Sequence, residues 1–263
     1  MQKTVIYRII TALASVAIFI VVGFIAITVP ANSRFFYRWQ FEKHNTLSWV
    51  QSQSIMLEDE TSPDYDPYAA EYVTNMTEAQ LEELMMHVMR YCMWLEDDVN
   101  ITVDGRHLKV FRADERSHLS DVRHLFGVLI ILAIVSLLGC MAFLFFLLNR
   151  PKDYYKSSRK VPFITMGVLV GIIAIVAIFA SVDFGHTFEV FHKIFFTGNY
   201  SFSNGVMISM ISDIFTDMAV LVVIGWLVLL AVPTVALALY SKHIGKKIIS
   251  ESKKAPENNS TSV

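Results

Sequence analysis

The chain has 263 residues, of which 54% are hydrophobic and only 17% are charged, and its formal net charge is −2. A soluble domain carries roughly 25% charged residues, so this composition excludes an ordinary soluble domain and indicates a polytopic membrane protein with no expected nucleic-acid partner. The two cysteines, Cys92 and Cys140, do not make a disulfide framework, and both are predicted to be free thiols.

Four apolar runs are long enough to cross a hydrocarbon core, which takes roughly 20 residues. They lie at approximately 7–29, 125–148, 162–182 and 217–240, and none has a charged side chain in its interior. Basic residues precede the first run, as in a signal peptide, but no small-residue cleavage site follows it. The first run is therefore predicted to be an uncleaved membrane anchor.

The longest segment outside these runs, 30–124, is predicted to be a small folded cap. Apolar residues recur at helical spacing after Thr77, which is a suitable N-cap. Apolar and polar residues then alternate around Asp104 and Gly105, a pair that favours the type I′ turn of a β-hairpin. We therefore predict an all-α membrane protein, a four-transmembrane-helix bundle with a small α+β extracellular cap that contains one hairpin.

Basic residues in the short loops predict the orientation, because lysine and arginine favour the cytoplasmic side. Five basic residues follow the second span and five lysines follow the fourth, whereas the loop between spans three and four holds only Lys193. We therefore expect a multi-pass protein of the cell membrane with both termini in the cytoplasm. The expected segments are the N-terminal end with the first span (1–29), the extracellular cap (30–124), the second span (125–148), a cytoplasmic loop (149–161), the third span (162–182), an extracellular active-site loop (183–216), the fourth span (217–240) and a cytoplasmic tail (241–263).

The third span contains a GxxxG pattern formed by Gly167 and Gly171. Small residues at this spacing let helix backbones approach closely in membranes. The pattern is interpreted as close packing within the four-helix bundle, and no dimer is inferred from it.

The stretch DERSHLSDVRHLF places many titratable side chains just before the second span. If the helix begins outside the membrane, Asp114, His118 and Asp121 share one face, because they are three or four residues apart. A carboxylate that holds one imidazole nitrogen fixes the tautomer and leaves the other nitrogen available, as a general base requires. His118 and Asp121 are therefore candidate catalytic residues.

A second cluster lies in the stretch VDFGHTFEVFHKIFFTGNYSF, between the third and fourth spans. Neighbouring aromatic rings partly desolvate an imidazole and favour its neutral form. The predicted orientation places this cluster and the first on the same side of the membrane, although sequence spacing alone does not bring them into contact. The cluster consists of two histidines and four phenylalanines: His186, His192, Phe188, Phe191, Phe195 and Phe196.

The residues alone leave other interpretations open. Aromatic side chains are common at membrane interfaces, and the charges at 112–116 are typical of a solvated helix start. A metal site is a sharper alternative, because histidine and aspartate supply suitable nitrogen and oxygen ligands. Its ligands would be His118, Asp121, His186 and His192.

The two motifs in combination resemble those of a known family. The motif HLSDVRHL lies just before the second of four spans, FHKIFFTGNYSF lies before the fourth, and a VDG hairpin precedes FRADERSHLSDVR. This arrangement is similar to that of the bacterial lipoprotein intramolecular transacylases, which are integral membrane proteins of Gram-positive bacteria. The resemblance covers most of the chain.

The resemblance implies an acyltransferase that acts on lipoproteins with a diacylglyceryl-modified N-terminal cysteine. It implies transfer of the sn-2 acyl chain from glycerol to the cysteine α-amine, which gives a lyso-form, N-acylated lipoprotein. Two histidines carry the chemistry in the family, one in each motif, and the matching residues here are His118 and His192. No metal and no soluble cofactor are expected.

An amine that attacks an ester needs a proton acceptor and stabilisation of the developing oxyanion. We expect His118, oriented by Asp121, to be the base and His192 to be the acid, although the two roles remain interchangeable. The alternatives are a tetraspan scaffold or sensor without catalysis and an outer-leaflet phospholipid acyl hydrolase that uses the same histidines. Contacts to the lipoprotein or to membrane phospholipid are predicted for Arg123, Phe191, Phe195, Phe196, Asn199 and Tyr200.

Overall fold

The computed structural model describes residues 2–59, 61–196, 201–202 and 204–254. Within them the chain forms eleven α-helices, a short 3-10 helix and one two-stranded antiparallel sheet. In chain order the elements are α1 Gln2–Ala31, α2 Arg34–His44, α3 Thr46–Gln51, the 3-10 helix Ser52–Met56, α4 Pro67–Thr74, α5 Glu78–Cys92, β1 Ile101–Val103, β2 Arg106–Leu108, α6 Ala113–Asn149, α7 Pro151–Ser157, α8 Val161–Val182, α9 Phe184–Phe195, α10 Val206–Ile211 and α11 Ile214–Lys254.

Four of these helices, α1, α6, α8 and α11, are long and apolar enough to cross a membrane. They contain the four predicted spans, so the predicted four-helix membrane architecture is confirmed. Helix α6 has 37 residues and is about 55 Å long at 1.5 Å per residue, whereas the hydrocarbon core is only about 30 Å thick. The apolar run 125–148 is long enough to cross this core, and residues 113–124 add three helical turns before it.

The described chain divides into two compact units. The first is built from residues within 1–26, 132–177 and 224–263, and the second from residues 27–131 and 178–223. Each long helix therefore has residues in both units, and the cap belongs to the second.

The first unit contains a small buried cluster and a close contact between α1 and α11. Trp226 packs directly against Gly23, where a Cβ atom would overlap the indole ring. The indole Nε1 donates a hydrogen bond to the carbonyl oxygen of Phe19 at 3.1 Å, so the indole ring crosses α1 at a position that only glycine leaves open. The buried cluster consists of Ala14, Phe143, Leu147, Tyr154 and Leu237.

The GxxxG pattern of α8 does not mediate close packing in this structure. A Cβ atom added at Gly167 or Gly171 would meet no other atom within 4 Å. The expectation that these glycines bring helix backbones together is therefore wrong for the described residues. Gly167 instead lines an apolar groove of about 350 Å³ between α8 and α11.

Helix α5 forms as predicted and supplies a large part of the core of the second unit. Thr77 accepts a hydrogen bond from the backbone N–H of Gln80, whose side chain accepts one from the backbone N–H of Thr77. This capping box satisfies two N–H groups that the first turn of a helix leaves unpaired. Cys92, at the end of α5, is buried, and both it and Cys140 are free thiols as predicted.

The predicted hairpin is also present. Strands β1 and β2 pair in the register Ile101↔Leu108 and Val103↔Arg106. The turn residue Asp104 has a φ of 49°, and the glycine after it has a φ of 76°. Two successive positive φ values match the type I′ turn that suits the twist of a hairpin.

The segment 183–216, which the sequence suggested was a loop, contains two helices. Helix α9 begins after Asp183, whose side chain accepts a hydrogen bond from the backbone N–H of His186 at 2.9 Å. Helix α10 begins after Gly205. Because α9 is a regular helix, it can hold a side chain in its last turn at a fixed position.

Candidate active site

Helices α6 and α9 bring the two predicted histidines together. His118 lies in the second turn of α6 and His192 near the end of α9. Their ring centroids are 5.8 Å apart, and their planes differ by 22°. Both residues are buried, with exposed fractions of 7% and 5%, and both belong to the second unit. The pair is close enough to contact different atoms of one reacting group.

Phenylalanine rings surround the histidine pair. The Phe196 ring lies 4.9 Å from the His118 ring and 5.0 Å from the His192 ring. The Phe202 ring lies 5.4 Å from that of His118, and the Phe188 ring lies 3.9 Å from that of His192. These apolar walls shield the two rings from water.

A hydrogen bond defines the tautomer of His192. Its Nδ1 lies 2.8 Å from the carbonyl oxygen of Phe188, which only accepts hydrogen bonds, so Nδ1 must carry the proton. In the neutral ring Nε2 then carries the lone pair. His192 is therefore held in a tautomer that can accept a proton at Nε2, and the Phe188 carbonyl would stabilise the imidazolium so formed.

The two histidines differ at Nδ1. In His118 this nitrogen is buried and, unlike that of His192, has no hydrogen-bond partner within the described part of the chain. Burial lowers the pKa of His118, the nearby His192 lowers it further, and the negative charge of Asp121 opposes both effects. His118 thus favours the neutral form at neutral pH, with one buried ring nitrogen that is unpaired among the described residues.

Asp121 acts on His118 through its charge and not through a hydrogen bond. The two residues are three apart on α6, and no hydrogen bond joins them among the residues the structure describes. The bond that was expected to fix the tautomer of His118 is therefore absent in this conformation. The predicted catalytic role of Asp121 stays a prediction, and its electrostatic effect on His118 is the observation that favours it.

Arg123 is engaged by the cap. Its guanidinium lies 4.5 Å from the centre of the Tyr91 ring and 4.6 Å from that of the Trp94 ring. It also donates a hydrogen bond to the backbone carbonyl of Asp97 at 3.2 Å. Cation–π stacking of this kind stabilises the packing of the cap on α6, and the substrate contact predicted for Arg123 stays a prediction.

The other predicted substrate contacts differ in position. Phe191 and Phe195 are 37% and 52% exposed on α9, and the Phe191 ring lies 5.4 Å from that of His192. They form the accessible continuation of the aromatic wall to which Phe196 belongs. Asn199 and Tyr200 lie outside the described residues.

The structure does not gather the four residues of the metal alternative into one site. Among the described residues, no group of three or more histidine, cysteine, aspartate or glutamate side chains is placed to hold a metal ion. His186 is exposed in the first turn of α9, whereas His192 is buried in its last turn.

One functional candidate, Glu115, was missed because the charges at 112–116 were interpreted as a solvated helix start. Glu115 is fully buried. One of its carboxylate oxygens accepts a hydrogen bond from the backbone N–H of Arg112 at 3.0 Å. A glutamate three residues into a helix is typical of capping, so its position in the first turn of α6 was the available signal.

The family model for the lipoprotein intramolecular transacylase Lit matches residues 11–215. The chain belongs to the lipoprotein intramolecular transacylase family. It is therefore an acyltransferase and a multi-pass membrane protein, with lipoproteins as its substrate class. The predicted membership of this family is confirmed, and the interpretation as a non-catalytic scaffold is superseded.

Solved structures support the same fold. The chain is similar to the lipoprotein intramolecular transacylase Lit from Bacillus cereus, with a TM-score of 0.65 and 15% identity over 93% of this chain and 98% of the other. Lit from Bacillus cereus with one histidine replaced by arginine gives a TM-score of 0.64 and 14% identity over 94% and 95% of the two chains. Comparison with curated protein sequences gives no match.

Proposed function

We propose that this transacylase moves the sn-2 acyl chain of a diacylglyceryl-cysteine lipoprotein onto the α-amine of the same cysteine, by acid–base catalysis at His118 and His192. The observation that carries the proposal is the pairing of two buried imidazoles, with ring centroids 5.8 Å apart, inside an aromatic wall. Such a pair supplies a proton acceptor and a proton donor to one acyl transfer.

The reaction forms a C–N bond and breaks a C–O bond. The neutral amine of the cysteine attacks the carbonyl carbon of the sn-2 ester, which gives a tetrahedral intermediate with a negatively charged oxygen. Collapse of this intermediate expels the glycerol oxygen. The amine loses a proton and the glycerol oxygen gains one, so the products are an amide and an sn-2 hydroxyl group, and no covalent enzyme intermediate is required.

His192 is the better candidate for the base. The hydrogen bond from its Nδ1 to the Phe188 carbonyl favours the tautomer that accepts a proton at Nε2. An α-amine has a reference pKa of about 8, so a base is needed to remove a proton as the amine attacks. This assignment exchanges the two roles expected from the sequence.

His118 is then the acid. In its protonated form it donates to the carbonyl oxygen or to the departing glycerol oxygen and becomes neutral, while His192 takes the proton of the amine. The buried Nδ1 of His118 has no partner among the described residues, and leaving a buried polar atom unpaired costs about 1–3 kcal/mol. A hydrogen bond to the substrate would recover part of that free energy. The charge of Asp121 favours a protonated His118 and so supports this role.

The aromatic surface of α9 suits the acyl chains of the substrate. Phe191 and Phe195 are partly exposed beside His192, and we propose that they contact the chains while Phe196 closes the wall behind the reacting atoms. The basic residues of the short loops favour a position of this site on the outer side of the membrane. Because donor ester and acceptor amine belong to one molecule, the enzyme mainly folds the substrate into a reactive geometry.

The proposal is tested with purified enzyme and a synthetic diacylglyceryl-cysteine lipopeptide whose sn-1 and sn-2 acyl chains differ in mass. The expected product carries the sn-2 chain on the α-amine, keeps the sn-1 ester and has the same total mass as the substrate. Fragmentation by mass spectrometry locates each chain. A lipopeptide with an acetylated α-amine is the matched control, because it cannot accept the chain.

The alternatives give different products. Transfer of the sn-1 chain would contradict the proposed regiochemistry. Release of free fatty acid from the lipopeptide or from phospholipid, without an N-acyl product, would identify the acyl hydrolase, in which water replaces the amine.

A further inference from the structure

The carboxylate of Glu115 joins the start of α6 to the start of α10. One oxygen accepts the hydrogen bond from the Arg112 backbone N–H at 3.0 Å, and the other accepts one from the Met207 backbone N–H at 2.8 Å. Met207 is 92 residues further along the chain. Since Glu115 is fully buried, this contact is shielded from water and fixes the two helix starts relative to each other.

The segment just before α10 is shaped to receive this carboxylate. Gly205 has a φ of 125°, a conformation that favours glycine, and a Cβ atom there would overlap the Glu115 carboxylate. Its backbone N–H donates to the side-chain oxygen of Gln53 at 2.8 Å. The neighbouring Asn204 accepts a hydrogen bond from the Arg112 guanidinium at 2.5 Å. Three polar contacts therefore hold residues 204–207.

Phe202, a wall of the histidine site, lies two residues before Asn204, the first residue of this anchored segment. The Phe202 ring lies 5.4 Å from that of His118 and packs against the hydrophobic core of the second unit. Glu115 and His118 are three residues apart on α6. The same helix face thus carries the histidine and the carboxylate that holds the chain beside it.

We propose that Glu115 is a positioning residue for acyl transfer, which acts through Gly205 and Phe202 to hold the aromatic wall against His118. This inference rests on the proposed function, because it assigns Glu115 a part in the same reaction. Glu115 touches neither histidine ring in the contacts described above. Its effect on the rate must therefore pass through the position of Phe202.

The chemistry of the carboxylate makes Glu115→Gln an informative change. Burial raises the pKa of Glu115 to about 7, while the backbone N–H of Arg112, its guanidinium and the backbone N–H of Met207 favour the ionised form and Asp114 disfavours it. Glutamine keeps the size of the side chain, but its NH₂ group must face one of the two backbone N–H donors. The anchor is thereby weakened without leaving a cavity.

The test is a double-mutant cycle with Glu115→Gln and Phe202→Leu, measured on the purified enzyme with the synthetic lipopeptide. Each single change should lower the initial rate by about tenfold. The double variant should be no slower than the slower single variant, because the effects of changing two coupled residues do not add. Glu71→Gln is the matched control, since Glu71 is exposed on α4, and its rate should equal that of the wild type.

Thermal unfolding of each variant shows whether a lower rate comes from a displaced Phe202 or from a protein that no longer folds. A rate for the double variant equal to the product of the two single effects would overturn the proposal, as would a wild-type rate for Glu115→Gln. If Glu115→Gln does not fold, Gly205→Ala replaces it in the cycle, because the added methyl group displaces the same carboxylate. The results expected for Gly205→Ala, and those that would overturn the proposal, are the same as for Glu115→Gln.

Failure of the proposed function would be visible separately. The wild-type product shows whether the sn-2 chain reaches the amine, whereas the cycle compares rates between variants. If the wild type released fatty acid instead, the coupling between Glu115 and Phe202 would still be measured from the rate of that release.

Discussion

Two parts of the second unit each contain a buried ionisable side chain, and they differ in how completely the ionisable groups there are paired. One is the α2–α5 interface. There Arg38 donates to both carboxylate oxygens of Glu82 at 2.7 and 3.0 Å, and Glu83 accepts hydrogen bonds from Arg34 and Arg90. Every charged group of this set has an oppositely charged partner.

The other part is the histidine site between α6 and α9. Its two imidazoles face phenylalanine rings, and Nδ1 of His118 has no partner in the described part of the chain. A bound substrate adds no hydrogen bond to an interface whose polar groups are all paired. It can add one to a site that contains an unpaired nitrogen. The comparison therefore separates residues that hold the cap together from residues available for a reaction.

The largest expected effect comes from removing either imidazole. His118→Ala and His192→Ala should each lower the transacylation rate by about 10²–10⁴-fold, the usual contribution of an acid–base group. Neither change removes a charge that holds the fold, so both variants should remain folded in detergent. The measurement is the initial rate together with thermal unfolding. Wild-type activity in either variant would show that the pair does not carry the reaction.

Asp121→Asn should have a smaller effect, a decrease of about 10–100-fold, because Asp121 acts on His118 and not on the substrate. Its negative charge raises the pKa of His118, so its loss lowers that pKa further. Because His118 must be protonated to act as the acid, the high-pH limb of the rate profile should therefore move to lower pH. Asp104→Asn, in the exposed hairpin turn, is the control and should leave the profile unchanged. A move to higher pH would contradict the assignment.

Arg38→Met tests the contribution of the Arg38–Glu82 pair at the α2–α5 interface to stability. It leaves the buried Glu82 carboxylate without its partner and should lower the unfolding temperature by about 5 °C, with little change in rate per folded molecule. The Arg38 hydrogen bond lowers the pKa of Glu82. The stability from this pair is therefore present above the ordinary glutamate pKa of about 4.3 and is lost as the pH falls through the lower folded value.

The unfolding temperatures of wild type and Arg38→Met should consequently converge as the pH is lowered below about 4. Thermal unfolding across this range, followed by circular dichroism, checks the sign. A difference that grows at low pH would be inconsistent with a pair that stabilises through the ionised Glu82.

The smallest expected effect concerns Cys92, which is 2% exposed in the core of the cap. Burial raises the pKa of its thiol to about 12, so little reactive thiolate is present at neutral pH. In a Cys140→Ser background, maleimide should label Cys92 only after denaturation. Rapid labelling of the native protein would show that the cap opens and that its core is accessible to the reagent.

Local features of the fold could be predicted from the sequence. The four spans follow from the length of each apolar run, α5 from its spacing after Thr77, and the hairpin from Asp104 and Gly105. In each case the residues that determine the structure are neighbours along the chain. The expectation for Gly167 failed because a small residue permits a close approach but does not require one.

The candidate site could be predicted only in part. The motifs indicated His118 and His192, but their contact joins two distant helices, and spacing gives no information on such a contact. The same holds for Glu115 and Met207, 92 residues apart, and for the stacking of Arg123 on the cap. Helix α9 was missed because a run rich in phenylalanine is equally typical of an interfacial loop.

The most direct test of the central claim, that the two imidazoles serve one acyl transfer, is the position of the acyl chains in the N-terminal peptide of a reporter lipoprotein. Fragmentation by mass spectrometry locates them, because the two forms of the peptide have the same total mass. The reporter is expressed in a host that lacks N-acylation activity, with the wild-type chain, His118→Ala or His192→Ala present at equal levels in membranes. The account predicts the lyso-form, N-acylated peptide with the wild type and the unmodified diacylglyceryl peptide with both variants. The N-acylated peptide with either variant at the wild-type yield, or its absence with the wild type, would contradict it.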